Sequence, residues 1–306
     1  MSSCPPLAAF KALSDETRLR VLRLLLRFEL NVGEIVGVLD MGQSRISRHL
    51  RILVEGGLLS ARRDGLWVFY AAEKSAFLDS ISPHLDDCGP DEDLVRASEA
   101  LAARLSETRR FFNSIAPDWR AMRREVLGDT DLESIIAALL PECGTVADLG
   151  CGPGELLTAL APKSRRLIGV DASPAMLDLA RGNVKLAGAS LRVGELEHLP
   201  MANAEVNAAV LSLTLHHLSD PLAALREAHR VIAPGGRLVV VDYLKHESEL
   251  MRERFGDRWL GFAREELSGW LSQAGFVVDS IDVKPVNLGL ELGLYVARRP
   301  SMEESK

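Results

Sequence analysis

The pattern of apolar and polar positions changes character along the chain. Ser14-Asp15-Glu16-Thr17 opens an amphipathic run through Leu19, Leu22 and Leu26, residues 32–39 predict a second short helix, and a turn at Asp40-Met41-Gly42 leads into a third over 43–53. On that third helix Ile46, Leu50 and Leu53 share one face, while Ser44, Ser47, Arg48 and Arg51 cluster opposite, so one face packs and the other is left for recognition. After Gly56-Gly57, strand-like runs over 58–62 and 66–70, joined through the favoured hairpin turn Asp64-Gly65, predict a wing. A break at Pro83 to Pro90 precedes a long helix over 91–112. In it Leu94, Leu101, Leu105 and Phe112 keep a heptad-like spacing, interrupted by Ser98 and Thr108, that suits a short dimer seam or packing against either domain.

Further along, buried strand-like runs dominate. Residues 166–171, 206–213 and 237–242 read as parallel strands, the last introduced by the Pro234-Gly235-Gly236 turn, and 276–281 with 290–296 as a final pair. The most informative run is Val146-Ala147-Asp148-Leu149-Gly150-Cys151-Gly152-Pro153-Gly154, a strand ending in a tight glycine loop before a helix. Glycine allows positive φ and puts no β-carbon between main chain and ligand, while the helix start offers free N–H groups, so a nucleotide-like cofactor is expected. A dinucleotide fingerprint needs a third glycine where this chain has Glu155, whose charge would repel a pyrophosphate, so the ligand should lack phosphates.

Here the chain resembles the class I S-adenosylmethionine-dependent methyltransferases, whose first motif has the D-L-G-C-G-P-G form found from Asp148 to Gly154. Asp171, 21 positions after Gly150, ends the second strand where an acid grips ribose hydroxyls, and Ser173-Pro174 cap the helix carrying Met176. Glu195 stands where the family usually has an Asp contacting the adenine amino group, a longer side chain that departs from the pattern. The resemblance implies a Rossmann-like, mostly parallel sheet with an antiparallel last strand. It also implies an S-adenosylmethionine or S-adenosylhomocysteine site formed by Asp148, Gly150, Cys151, Gly152, Gly154, Asp171, Ala172, Met176, Glu195, Leu196 and Leu211.

The first part, over roughly residues 7–73, resembles the ArsR-type repressors through S-R-I-S-R-H-L-R-I-L-x-E-G-G-L and the wing. Their fold is an α+β winged helix-turn-helix. Ser44, Arg45, Ser47, Arg48 and Arg51 would read a DNA operator, with Arg62 and Arg63 at the wing tip adding phosphate or minor-groove contacts. Residues 41–70 hold five arginines against Glu55 and Asp64, a locally basic patch in a chain of net charge −7. His49 falls nearer the packing face and is read as structural. The family's best-known metal site is a Cys-x-Cys pair, but the matching stretch Leu30-Asn31-Val32-Gly33-Glu34 carries no thiolate. Cys4, Cys88, Cys143 and Cys151 lack paired metal spacing, and His84 with Asp86 and Asp87 is too sparse, so no metal is expected.

With 306 residues and 47% apolar content, two domains are expected: 1–90 for DNA, 91–125 as a helical linker, 126–300 for the adenosyl ligand, and 301–306 as a tail. Without a signal peptide or membrane span, the expected setting is cytoplasmic. ArsR-type dimers use terminal helices, which points to a homodimer on a roughly palindromic operator. Two functions remain open. The chain is a transcriptional regulator with the adenosyl compound as effector, similar to fused S-adenosylhomocysteine-responsive regulators of the methionine cycle, or an enzyme methylating a small molecule, as similarity to ubiquinone/menaquinone-type methyltransferases implies. No catalytic residues are assigned: His216, His217, Asp242, Tyr243 and His246 lie near strand ends without forming a recognisable acid/base constellation.

Overall fold

The computed structural model describes residues 6–64, 67–73, 75–86, 88–183 and 188–301. The chain divides into two compact units, residues 1–104 and 105–306.

The first unit is built from α1 (Pro6–Leu13), α2 (Glu16–Leu25), α3 (Val32–Leu39), α4 (Gln43–Glu55), α5 (Ala76–Ile81) and the first part of α6 (Asp91–Ile115). A small antiparallel sheet joins β1 (Leu30–Asn31), β3 (Trp67–Ala72) and β2 (Leu59–Asp64) in that order. Asp15 caps α2 by accepting from the Arg18 N–H, and Asn31 and Glu34 form a reciprocal capping box at α3. Val21, Leu22, Leu24, Ile35, Ile46, Leu50 and Leu53 fill the core at no measurable exposure, each contributing about 1.5–3 kcal/mol.

The arginines that interrupt the leucine pattern of α2 have specific partners. Arg20 makes a bidentate pair with buried Asp93 at 2.8 and 2.9 Å. Buried Arg23 donates to the carbonyls of Gly89 and Pro90 and to Asp91, and Arg27 pairs with Asp86. The beginning of α6 is thereby fastened to α2.

One expectation needs correction. Asp64 pairs with Trp67, so the wing strands run slightly later than predicted and the connecting residues are 65 and 66, outside the described residues. Of the two uses that the heptad-like spacing of α6 suits, packing against the domains is seen at its described positions. Leu94 and Leu101 pack on the first unit's core, whereas Phe112 lines a cleft in the second unit.

In the second unit α7 (Trp119–Leu127) and α8 (Leu132–Leu139) precede the sheet. Its strands are β4 (Cys143–Leu149), β5 (Ser164–Asp171), β6 (Ser190–Val193), β7 (Val206–Ser212), β8 (Ile232–Tyr243), β9 (Val277–Pro285) and β10 (Glu291–Arg298), in the order β6-β5-β4-β7-β8-β10-β9. Helices α9 (Glu155–Leu160), α10 (Pro174–Asn183), α11 (Pro221–Val231), α12 (Glu249–Phe255) and α13 (Arg264–Gln273) connect them. Only β10 reverses: it lies between β8 and β9, antiparallel to both. The Pro234-Gly235-Gly236 turn bulges from β8 rather than preceding it, since Val206 pairs with Ile232 but Ala208 with Arg237. Strand order reverses beside β4, and β5 and β7 flank it, which opens a crevice at their carboxyl ends.

Candidate functional site

The glycine loop leaves β4 with positive φ at Gly150 (83°), Gly152 (48°) and Gly154 (78°). A β-carbon at Gly150 would lie 2.5 Å from Thr214 Cγ2, whereas one at Gly152 would meet nothing within 4 Å. The first glycine is thus required by packing, and the second faces open space. The Asp171 carboxylate organises the loop, accepting from the Gly152 N–H (2.8 Å) and the Ser173 N–H (2.8 Å). Ser173 Oγ accepts from the Met176 N–H and donates to Asn113 Oδ1.

A cleft lies over this loop. Gly150, Gly152, Asp171, Ala172, Met176, Glu195 and Leu196 line it, together with Thr108, Arg109, Phe112, Trp119, Thr214 and His217. Asp148 and Cys151 line a smaller recess that shares Gly150 and Gly152. Gly154 and Leu211 line neither: Gly154 is the N-cap of α9, and Leu211 is buried in β7. The wall supplied by α6 and the start of α7 was missed in the sequence, where Phe112 reads as a core or seam position.

Burial raises the pKa of Asp148 to about 8, helped by the nearby Asp171. It also raises those of Asp171 and Glu195, the latter opposed by Arg109 at 4.0 Å. Burial pushes the Cys151 thiol up as well, so it is no nucleophile here. Glu155 is less isolated than its position in the motif suggests, for Arg120 and Arg123 approach it at 3.1 and 3.6 Å.

A second, smaller cavity, about 40 Å3, adjoins the cleft at Trp119, Leu213 and His217. Here the structure assembles side chains that sequence spacing kept apart. His216 Nδ1 is 2.6 Å from Asp242 Oδ1, and its Nε2 is 3.6 Å from Asp257 Oδ1. Burial opposes the imidazolium of His216, but Asp242 and Asp257 outweigh it and raise its pKa. His217, bonded through Nδ1 to the Gly256 carbonyl, is instead held neutral by burial and by His216. Both carboxylate oxygens of Asp257 are buried without a hydrogen-bond partner, and burial raises its pKa to about 7 against the pull of His216. His216, His217 and Asp257 each bring a donor atom within 4.8 Å of the others.

In the first unit Ser44, Arg45, Ser47, Arg48 and Arg51 are exposed along α4, with Ile46, Leu50 and Leu53 buried behind them. His49 is buried, 3.7 Å from Asp15, and burial lowers its pKa. Arg62 departs from the expected wing-tip position. Its guanidinium lies 3.3 Å from Glu29 and over the Phe69 ring, whereas Arg63 is exposed.

Comparison with known proteins agrees with this division. The profile of the bacterial regulatory protein, arsR family, matches residues 15–61, and that of a methyltransferase domain matches residues 147–240. The arsenical resistance operon repressor of Escherichia coli is 43% identical over 86 residues, covering 28% of this chain and 66% of the repressor. The ubiquinone/menaquinone biosynthesis C-methyltransferase UbiE of a Geobacter species is 28% identical over 155 residues, covering 47% of this chain and 66% of the enzyme. A chain from the complex of the Haloferax volcanii Trm112 methyltransferase activator with a methyltransferase superposes with a TM-score of 0.54 at 24% identity, over 62% of this chain and 97% of its own. The chain spans 45% to 66% of the length of the first curated relatives it matches. Residues 15–61 are therefore an ArsR-family helix-turn-helix segment, and residues 147–240 belong to a class I methyltransferase domain.

Proposed function

We propose that this chain is an ArsR-type DNA-binding regulator whose methyltransferase domain binds S-adenosylmethionine or S-adenosylhomocysteine, and that this ligand sets operator affinity. The observation that carries the reading is the composition of α6. Its first turns belong to the DNA-binding unit through Asp91 and Asp93, and its last turns bring Thr108, Arg109 and Phe112 to the cleft wall. A ligand that orders the wall acts on a helix rooted among the first unit's arginines.

The cleft fits an adenosyl ligand. Asp171 is available to ribose hydroxyls, Glu195 to an adenine amino group, and Gly152 leaves room for close approach. Such a ligand carries a methyl group on a cationic sulfur, which it gives up on becoming S-adenosylhomocysteine. The neutral thioether is the favoured signal, because desolvating the sulfonium costs more.

On DNA, the exposed face of α4 would read base edges and Arg63 would contact backbone. A homodimer is supported by exposed apolar side chains on α1 and α6: Leu7, Phe10 and Val95 are 64%, 59% and 55% exposed. A second reading, small-molecule methylation, is favoured by the cavity beside the cleft. The deciding experiment titrates operator-bound protein with each adenosyl compound, alongside Asp171→Ala. A coupling of about 1–3 kcal/mol changes operator affinity roughly 5- to 150-fold, and this should vanish in the variant. Unchanged operator affinity with both compounds, together with methyl transfer to a small acceptor, would establish the enzyme reading instead.

A further inference from the structure

We infer that the cavity beside the cleft is an acceptor subsite for a small, largely apolar molecule bearing a weakly acidic hydroxyl, a phenol or enol, and that Asp257 takes its proton. The inference rests on the reading of the cleft as an adenosyl-ligand site. Shared walls at Trp119, Leu213 and His217 put an occupant of the cavity beside an occupant of the cleft. Ile115, Met122, Val126 and Phe255 make much of the remaining lining apolar, which suits a ring better than a charged or sugar-like acceptor.

Asp257 gives the cavity its chemistry. Beyond the His216 Nε2 contact at 3.6 Å, neither buried oxygen of Asp257 has a hydrogen bond, which is costly, and an acidic hydroxyl entering the cavity would supply one. Its surroundings favour the ionised form only partly. His216 faces it from the 3-10 turn Leu215–His217 and Arg252 acts from α12, both stabilising the carboxylate, while burial and Asp242 on β8 oppose it. Arg123 of α7, neutral His217 and the Tyr243 hydroxyl, whose pKa burial raises, complete the surrounding titratable groups. The resulting pKa of about 7 suits proton uptake near neutrality. His216 is a positioning residue: Asp242 on one ring nitrogen and Asp257 beside the other raise its pKa against burial and favour the imidazolium, the form less suited to a metal.

The reaction balances. The acceptor oxygen forms a bond to the methyl carbon as the carbon–sulfur bond breaks, the sulfur keeps the electron pair and becomes a neutral thioether, and the acceptor proton passes to the Asp257 carboxylate. Placement of the two reactants supplies most of the acceleration, and the carboxylate makes the oxygen a better nucleophile.

The test uses the full chain and para-nitrophenol, whose phenolate absorbs at longer wavelength than the phenol. Difference spectra at about pH 7, where a substantial share of Asp257 is ionised, should show an added phenolate absorbance band on binding, and radiolabelled methyl from S-adenosylmethionine should appear on the probe oxygen. Asp257→Asn should lose the band and bind the probe about tenfold or more weakly, as expected for one lost charge-assisted hydrogen bond. Asp257→Glu should restore the band, which a merely structural role would not require. Met122→Trp, which fills the cavity from α7, should exclude the probe while calorimetry still detects S-adenosylhomocysteine. Equal spectra and affinity in wild type and a folded Asp257→Asn variant overturn the inference. So does stoichiometric Zn2+ binding that His216→Ala and Asp257→Asn each abolish, which would make the cluster a metal site. Intact S-adenosylhomocysteine binding with no probe binding overturns this inference alone; a phenolate band without S-adenosylhomocysteine binding overturns the cleft reading and upholds the carboxylate's role.

Discussion

Removing the Arg20 guanidinium should be far more damaging than removing an ordinary helix-surface charge. Asp93 is 3% exposed, and Arg20 supplies both of its carboxylate oxygens with N–H donors at 2.8 and 2.9 Å. Arg20→Ala strands that charge in the protein, where removing one partner of a buried pair costs about 3–5 kcal/mol. The Arg20 side chain retains 23% exposure, so water can partly enter the vacated space and the lower end, about 3 kcal/mol, is expected. With a urea slope of about 2 kcal/mol/M, the unfolding midpoint of the first unit should fall by about 1.5 M. Circular dichroism with two-transition fitting measures the shift, since a two-unit chain need not unfold in one step. Pairing the change with Asp93→Leu should recover most of the loss, because the stranded charge and not the missing attraction is the larger cost. A loss below about 1 kcal/mol for Arg20→Ala, the range of exposed pairs, would refute the argument that this pair is a buried anchor of α6.

Three further outcomes are expected. Arg51→Ala should cost about 1–3 kcal/mol at one operator base pair, whereas Arg63→Ala should weaken all sequences alike and reduce the salt slope by about 1, measured by anisotropy across ionic strengths. Gly152→Val should lose S-adenosylhomocysteine in calorimetry at the cost of backbone strain at φ 48°, while Gly150→Ala should destabilise the second unit through both its φ of 83° and the strike of its β-carbon on Thr214. Asp148, with a pKa raised to about 8, binds its proton more tightly folded than unfolded, so stability should fall as pH rises from about 4 to 8. Asp148→Asn should flatten that slope in denaturation curves collected across the interval, and an unchanged slope would locate the pH sensitivity elsewhere.

The sequence is most legible where local pattern and tertiary role coincide. Ile46, Leu50 and Leu53 repeat at helical spacing because they pack on one core, and the exposed face of α4 follows from that repeat. The glycine loop is legible because positive φ has few sequence solutions. Phe112 is not, since a cleft-lining aromatic at heptad spacing from Leu105 looks the same as a seam residue. Asp257 is a harder case: only the return of the chain beyond α12 brings it beside His216, and no local periodicity marks it. Arg62 misleads for the opposite reason. Its position in the wing is right, but Glu29, distant in sequence, captures its guanidinium.

The capping box at α3 has a bearing on how readily this protein could change the signal it answers. Asn31 and Glu34 secure the helix start through two reciprocal bonds of 3.0 and 2.8 Å, in the stretch where the ArsR-type resemblance implies a Cys-x-Cys pair that this chain lacks. Asn31→Cys gives up a cap worth roughly 0.5–2 kcal/mol at once, whereas a soft metal ion could offset that loss only after a second thiolate had been acquired. The intermediate is a weakened helix beside α4, with neither cap nor ion. Gaining thiolate sensing at this helix start therefore has to pass through a less stable intermediate, and the two side chains that start the helix stand in its way.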